Sequence, residues 1–286
     1  MSHHHHHASH AFRWTVLLNA GLSGLQIVVG SAFGSIALIG DALHNLGDVA
    51  GLLLGWGADH LSRRPATARF TYGFGRSTQL AAISNAVLIL MASAVVCVEA
   101  LQRFQRPEPL VAGPVAWAAA AGLVVNLLSA RLFGHGHQHD LNRRAAVLHL
   151  LSDAAVSAAV LISALLAAAT GWLWLDPLTG LSVGLSVAWL GVELLKDSLA
   201  ESLDAIPQRI DPAAVRSELL GLDGVNEVHH LHVWSMGTSR VALTVHLVRA
   251  PEGLDHDATL LIEANRAMAA LGIEHCTFQL ESRSCE

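Results

Sequence analysis

The sequence predicts a membrane bundle of six transmembrane helices followed by a small α+β cytoplasmic domain of order αββαβ. Three observations carry this prediction. Charge is scarce: 14% of the 286 residues are Asp, Glu, Lys or Arg, against about 25% in an ordinary soluble domain. Apolar stretches long enough to cross a bilayer, about 20 residues each, recur until about residue 200, and mean hydropathy is +0.46. Beyond residue 205 the chain becomes charged, and its apolar residues alternate as in strands.

The apolar stretches run at about 12–32, 36–60, 77–101, 113–134, 144–170 and 176–199. Breakers separate them: Gly34-Ser35, Arg63-Arg64-Pro65, Pro107-Glu108-Pro109, Gly134-His135-Gly136 and Asp176-Pro177. All six are rich in Gly, Ala and Ser, which lets helix backbones approach closely in lipid. Orientation follows from Lys and Arg in the short loops. The second loop holds Arg63, Arg64, Arg69 and Arg76, and the fourth holds Arg131, Arg143 and Arg144. The first and fifth hold neither residue type, so loops two and four and both termini are expected in the cytoplasm. No cleavable signal peptide is evident, and an inner (plasma) membrane of a bacterium is the expected location.

In the C-terminal part, Asp211 and Pro212 read as the N-cap and first residue of a helix over 212–221. Val225–Trp234 and Arg240–Val248 alternate like strands around the turn Met236-Gly237-Thr238-Ser239. Residues 255–271 form an amphipathic helix, and His275–Glu281 a third strand. The expected division is a His-rich tail over 1–11, which is either a tag or native, a transmembrane domain over 12–204 and a cytoplasmic domain over 205–286. About 80 residues bury only a modest core, so this domain is expected to lean on a second copy of itself.

Composition also restricts function. A net charge of −6 offers no basic footprint for nucleic acid. Three Cys build no disulfide framework. The 18 His ask for a metal or a proton. Ionisable residues inside spanning helices are costly and functional by default. The second span reads Asp41-Ala-Leu-His44-Asn-Leu-Gly-Asp48 and the fifth His149-Leu-Leu-Ser-Asp153, so each contains His-x-x-x-Asp. Four residues are about one helical turn, which stacks His and Asp on one face. Two such helices facing each other offer two imidazoles and two carboxylates, the donor number of tetrahedral Zn²⁺. Two carboxylates also neutralise a divalent cation. The plainer alternative, two unrelated pairs that steady helix packing, has to explain the same spacing twice. Asp41 reads as a structural group or an outer gate, and Asn19 and Asn126 as interhelical hydrogen-bonding groups.

These residues, with Ser35–Asp48, Tyr72-Gly73 and Arg76, Asp176-Pro177 and His229-His230-Leu231-His232-Val233-Trp234, make the chain similar to the cation diffusion facilitator family of zinc transporters. The resemblance covers nearly the whole chain. It implies a homodimer that exchanges Zn²⁺ for H⁺ by alternating access, with His44, Asp48, His149 and Asp153 as the transport site and no enzymatic activity. Its cytoplasmic domains resemble metallochaperones and bind further zinc as a regulatory ligand. Members that take manganese, or cadmium beside zinc, commonly have Asp at the first His, so His44 points to zinc. Imidazole suits Zn²⁺, and oxygen suits harder ions. Some bacterial members carry another zinc site in the second-to-third loop. Here residues 66–76 contain neither Asp nor His, so that site is expected to be absent.

For the cytoplasmic site, alternation puts His246, His275 and Glu281 on the sheet face away from the core. Counting back from His246 along the family pattern picks His229 as a fourth ligand. Simple alternation prefers His230 or His232 unless a bulge shifts parity. Surface His without a metal is the plainer alternative. Cys276 faces the core as packing, and Cys285 is near enough to serve a second ion. The loop 134–140 either collects Zn²⁺ loosely or is a solvated linker.

Two rival classes are an intramembrane metal hydrolase and a membrane-anchored zinc sensor. The first lacks His-Glu-x-x-His and Gly-x-Ser-x-Gly. The second needs no His or Asp inside the membrane. The absence of a Gly-x-x-x-x-Gly-Lys-Ser/Thr loop points to an ion gradient as the drive.

Overall fold

The computed structural model describes residues 5–134, 141–237, 240–250 and 257–283. Six long helices come first: α1 (His5–Phe33), α2 (Ile36–Ser62), α3 (Ser77–Gln105), α4 (Ala112–Gly134), α5 (Leu141–Thr170) and α6 (Leu175–Ser202). Each contains a window apolar enough to span a membrane, with hydropathies of 1.3 to 2.3. The helices outrun the apolar stretches because backbone hydrogen bonding continues into the polar flanks, as at Glu193–Ser202 of α6. The C-terminal part adds α7 (Pro212–Leu220), β1 (Val225–Ser235), β2 (Val241–Arg249), α8 (Asp257–Ala270) and β3 (His275–Glu281). The fold is therefore the expected six-helix membrane protein with an αββαβ domain.

The chain forms two compact units. The first comprises 1–53 and 84–193, the second 54–83 and 194–286. In the first, small residues let the helices meet. Ala116, Ala118 and Ala119 of α4 pack with Val160 and Ala164 of α5 and with Ala37 and Leu38 of α2. Large apolar side chains point outward instead, Trp117 at 81% exposure and Trp189 at 67%. That inversion suits a lipid surround. The start of α2 is pinned. Asp176 accepts a hydrogen bond from Ile36 N at 2.8 Å and one from the Ser35 hydroxyl. Ser35 Oγ in turn accepts from Leu38 N at 3.1 Å. Arg103 donates to Gly34 O at 2.6 Å. These caps satisfy helix-end groups that would otherwise be orphaned in lipid, and they set the height of α2, which carries His44 and Asp48.

In the second unit, Asp211 caps α7 through Ala213 N at 2.9 Å, with Pro212 at the first position. The helix ends at Leu220, one residue inside the expected end, with Gly221 as its C-cap. The sheet order is β1-β2-β3, with β1 antiparallel and β3 parallel to β2. Val215 and Leu219 of α7 and Ala264 and Met268 of α8 pack on Val228, Val241, Leu243, Val245 and Leu247. Both helices cover one face. The other face carries Thr244, His246 and Gln279. In β1 the register passes from His229↔His246 to His232↔Thr244. Three steps on β1 thus match two on β2, a bulge, and His230 takes φ +47 within it.

Candidate metal centres

The intramembrane cluster lies wholly in the first unit. One turn of α2 stacks His44 above Asp48, and one turn of α5 stacks His149 above Asp153. His44 Nε2 lies 3.2 Å from Asp153 Oδ1 and 4.0 Å from Asp48 Oδ2. His149 Nε2 lies 3.3 Å from Asp48 Oδ2 and 3.7 Å from Asp153 Oδ2. The imidazole centroids are 6.1 Å apart, with the rings at 79°. Bonds of about 2.0–2.2 Å in a tetrahedron put neighbouring donor atoms roughly 3.3–3.6 Å apart. The four side chains are already near that spacing. One donor atom each from His44, Asp48 and Asp153 falls within 4.8 Å of the others. Asp48 Oδ2 is shielded from solvent yet makes no hydrogen bond among the described residues. A buried carboxylate oxygen left in that state fits a cation as its missing partner.

Beside it lies a polar network that the spacing argument did not reach. Asp41 is fully buried. Its Oδ2 accepts from Gln26 Nε2 of α1 and from the Ser157 hydroxyl of α5, each at 2.9 Å. Asn45 Nδ2 donates to the Asp41 carbonyl at 3.0 Å. Gly122 of α4 makes room: a Cβ there would stand 2.8 Å from Gln26 Nε2 and 3.0 Å from Ser157 Oγ. Asp41 thus ties α2 to α5 one turn from the His–Asp pairs. Of the two readings of Asp41, the hydrogen bonds favour the structural one. Ser157 carries its own signal in sequence, standing four residues after Asp153.

The cytoplasmic cluster lies in the second unit. His229 Nε2 is 3.0 Å from Glu281 Oε2, and His246 Nδ1 is 2.8 Å from Glu281 Oε1. These three form the second group able to hold an ion. The bulge places His229 directly opposite His246, a pairing that simple alternation counted without it does not give. The His230 ring lies 4.9 Å from the His246 ring, tilted by 44°, and His232 pairs with Thr244. Gln279, opposite His246 on β3, donates to Glu281 Oε1 at 2.8 Å. It was visible in sequence as the same-face residue two before Glu281. Burial works to raise the Glu281 pKa, but the hydrogen bonds from Gln279 and His229 and the nearby imidazoles outweigh it and hold the group below its ordinary value.

Within one chain, His275 stands apart from His229, His246 and Glu281, with which the sequence groups it. His275 does share their face, but it pairs with Ala242 at the far end of β3 and meets the Tyr72 ring at 5.7 Å. Six residues of strand put it about 20 Å from Glu281. Parity selects a face, and distance along the strand still separates the groups. Cys276 packs against the core, and burial pushes its thiol up to about 11. Cys285 and residues 135–140 lie outside the described residues.

Comparison with known proteins agrees with this architecture. The model of the cation efflux transmembrane domain matches residues 14–201, and that of the cation efflux protein cytoplasmic domain matches 207–283. Zinc transporter ZitB of Escherichia coli K12 is 39% identical over 270 residues, covering 94% of this chain and 86% of the relative. The metal cation efflux system protein CzcD of Cupriavidus metallidurans is 33% identical, covering 91% and 83%. A cadmium, cobalt and zinc/H(+)-K(+) antiporter of Bacillus subtilis is 29% identical, covering 98% and 92%. The matched models span both domains, and the chain therefore belongs to the cation efflux, or cation diffusion facilitator, family.

Proposed function

We propose that the protein exports Zn²⁺ from the bacterial cytoplasm across the inner membrane, as a homodimer, in exchange for protons. Zn²⁺ is the cargo, held by His44, Asp48, His149 and Asp153. The observation that carries this reading is the convergence of two His-x-x-x-Asp pairs from α2 and α5, two helices apolar enough to span a membrane. Two carboxylates cancel the charge of the ion, and two imidazoles supply the nitrogen donors that suit zinc. Coupling needs no separate device. Protons and metal compete for the same lone pairs, and an unperturbed imidazole titrates near pH 6.5. Acid on the receiving side therefore releases the ion, and neutral cytoplasm reloads the site. Alternating access exposes one cluster to each side in turn.

The cytoplasmic His229, His246 and Glu281 bind zinc as a regulatory ligand that favours the dimer. This assignment also accounts for a sensor-like domain on a transporter, since a sensor alone would move no zinc. Both termini lie in the cytoplasm, as the loop arginines favour. The test is purified protein in proteoliposomes with a zinc dye outside and a pH dye inside. Zinc uptake with opposite proton movement, lost in Asp153→Ala, supports the reading. Proton movement without zinc dependence, or full flux in the variant, sinks it.

A further inference from the structure

A cavity of about 630 Å³ lies in the second unit, apart from both metal clusters. The end of α2, the loop after it and the β1–β2 turn line it. Its walls meet backbone to backbone: Gly237, at φ +136, lies so close that a Cβ on it would stand 2.7 Å from Gly75 O and 3.0 Å from Gly75 Cα. An ion pair between Arg76 and Asp204 ties the same loop to the chain after α6.

The polar lining is cationic, with Arg63, Arg64, Arg240 and His275. Asp59 is the acid among the described lining residues, and it is already paired with Arg63 at 2.8 Å. Two guanidiniums are left without an acid. Arg64 has no side-chain partner among the described residues. Arg240 spends one donor on the Tyr72 carbonyl, at 3.4 Å. Two uncompensated positive charges repel Zn²⁺, so this is no station on the metal path. They fit an anion, and the planar fork of each guanidinium matches phosphate oxygens. The level in the membrane fits too. The α2 span ends at Ser62, so Arg63 and Arg64 stand where phosphate headgroups lie. The volume is within the range of small-molecule sites, about 300–1,000 Å³.

We infer that this cavity binds a phosphate-bearing anion through Arg64 and Arg240, bridging the α2–α3 loop to the β1–β2 turn. A phosphodiester reaches it as the headgroup of an anionic phospholipid, and free phosphate offers the same chemistry. The inference does not depend on the identity of the transported metal.

The experiment uses the full chain, stripped of lipid in a neutral detergent. Short-chain phosphatidylglycerol, short-chain phosphatidylcholine and inorganic phosphate are titrated in turn, followed by native mass spectrometry and thermal unfolding. Phosphatidylglycerol should bind saturably and raise the unfolding temperature, as any ligand of the folded state does. Phosphatidylcholine should do neither. Arg64→Gln, at an exposed position, should weaken binding about tenfold, the worth of a hydrogen bond to a charged group. The Arg64→Gln, Arg240→Gln double variant should abolish it, while Arg216→Gln on the exposed face of α7 leaves it intact. Phosphate that competes with the lipid at millimolar concentration marks a free-anion site, and phosphate that does not marks a lipid site. Equal binding of the two lipids, or undiminished binding in Arg64→Gln, overturns the inference, and the single variant keeps this test open even if the double variant misfolds.

Discussion

In the membrane unit, two imidazoles and two carboxylates come from two helices, each pair four residues apart. In the C-terminal domain, two imidazoles and one carboxylate come from three strands, separated along the chain by 17 and 35 residues. The donor types match, but the routes to the geometry differ. A helix repeats every turn, so a pair written at i and i+4 is a pair in space whatever the rest of the fold does. A sheet brings donors together only through the register between strands, and one extra residue reverses a face. The first cluster is also held by a buried hydrogen-bond network in a medium that punishes loose charge. The second faces away from its core, with His246 half-buried.

The largest expected effect tests whether the helix pairs are the transport site. Asp48→Ala and Asp153→Ala should each remove zinc flux while the protein still folds and inserts. Loss of a ligand costs more than the ~10–100-fold typical of groups that only orient one. Initial rates in proteoliposomes, normalised to inserted protein, decide it. A variant that retains more than a tenth of the flux breaks the four-donor arrangement.

The contrast in route explains what could be read from sequence. The six spans, the αββαβ order and the two His-x-x-x-Asp pairs were legible, because hydropathy and helical spacing are local. The Asp41 network was half legible. Asp41 stood out as a buried charge, but its partners Gln26 and Ser157 belong to other helices, and no local rule pairs them. The cytoplasmic site was legible by face and not by position. His246 and Glu281 share a face and stand 2.8 Å apart, whereas His275 shares their parity but sits six residues from Glu281. His229 needed the bulge at His230, and nothing in the local sequence of β1 announces a residue at φ +47.

Metal choice is the next effect in size. His44→Asp exchanges nitrogen for a harder oxygen and adds a negative charge next to Asp48 and Asp153. Flux of Cd²⁺ or Mn²⁺ relative to Zn²⁺ should rise. The same change at the cytoplasmic site, His246→Asp, should leave the transport ratio unchanged. If both shift it equally, the two clusters do not divide the work as their positions imply. A smaller effect belongs to the network. Ser157→Ala removes one of the two donors to the buried Asp41 Oδ2 and leaves Gln26 alone on it, at a cost of about 1–3 kcal/mol in stability. Flux should fall several-fold with a normal metal preference, and Ser157→Thr, which restores the hydroxyl, should recover it. No recovery would detach Asp41 from the positioning of α2 against α5.

The smallest effect on transport is expected at the sheet, and there three substitutions separate geometry from composition. His246→Ala removes a donor 2.8 Å from Glu281. His229→Ala removes one at 3.0 Å. His275→Ala removes an imidazole of the same face at the other end of β3. If nearness decides, the first two should weaken zinc binding in the cytoplasmic domain by about 10–100-fold or more, since ligands cost at least what their supporting groups do. The third should leave it as it was. Metal that binds only the assembled form stabilises it by mass action, so zinc should also stop tightening the dimer in the first two variants alone. Transport should drop only partly, because the intramembrane donors are untouched. Calorimetry on full-length protein carrying Asp153→Ala isolates the cytoplasmic metal, and sedimentation with and without Zn²⁺ reads the association. Loss of binding in His275→Ala would mean that the ligand set closes between two copies of the domain, with His275 reaching the site of the neighbouring subunit. No loss in any of the three would leave the domain as a dimerisation platform whose histidines are incidental.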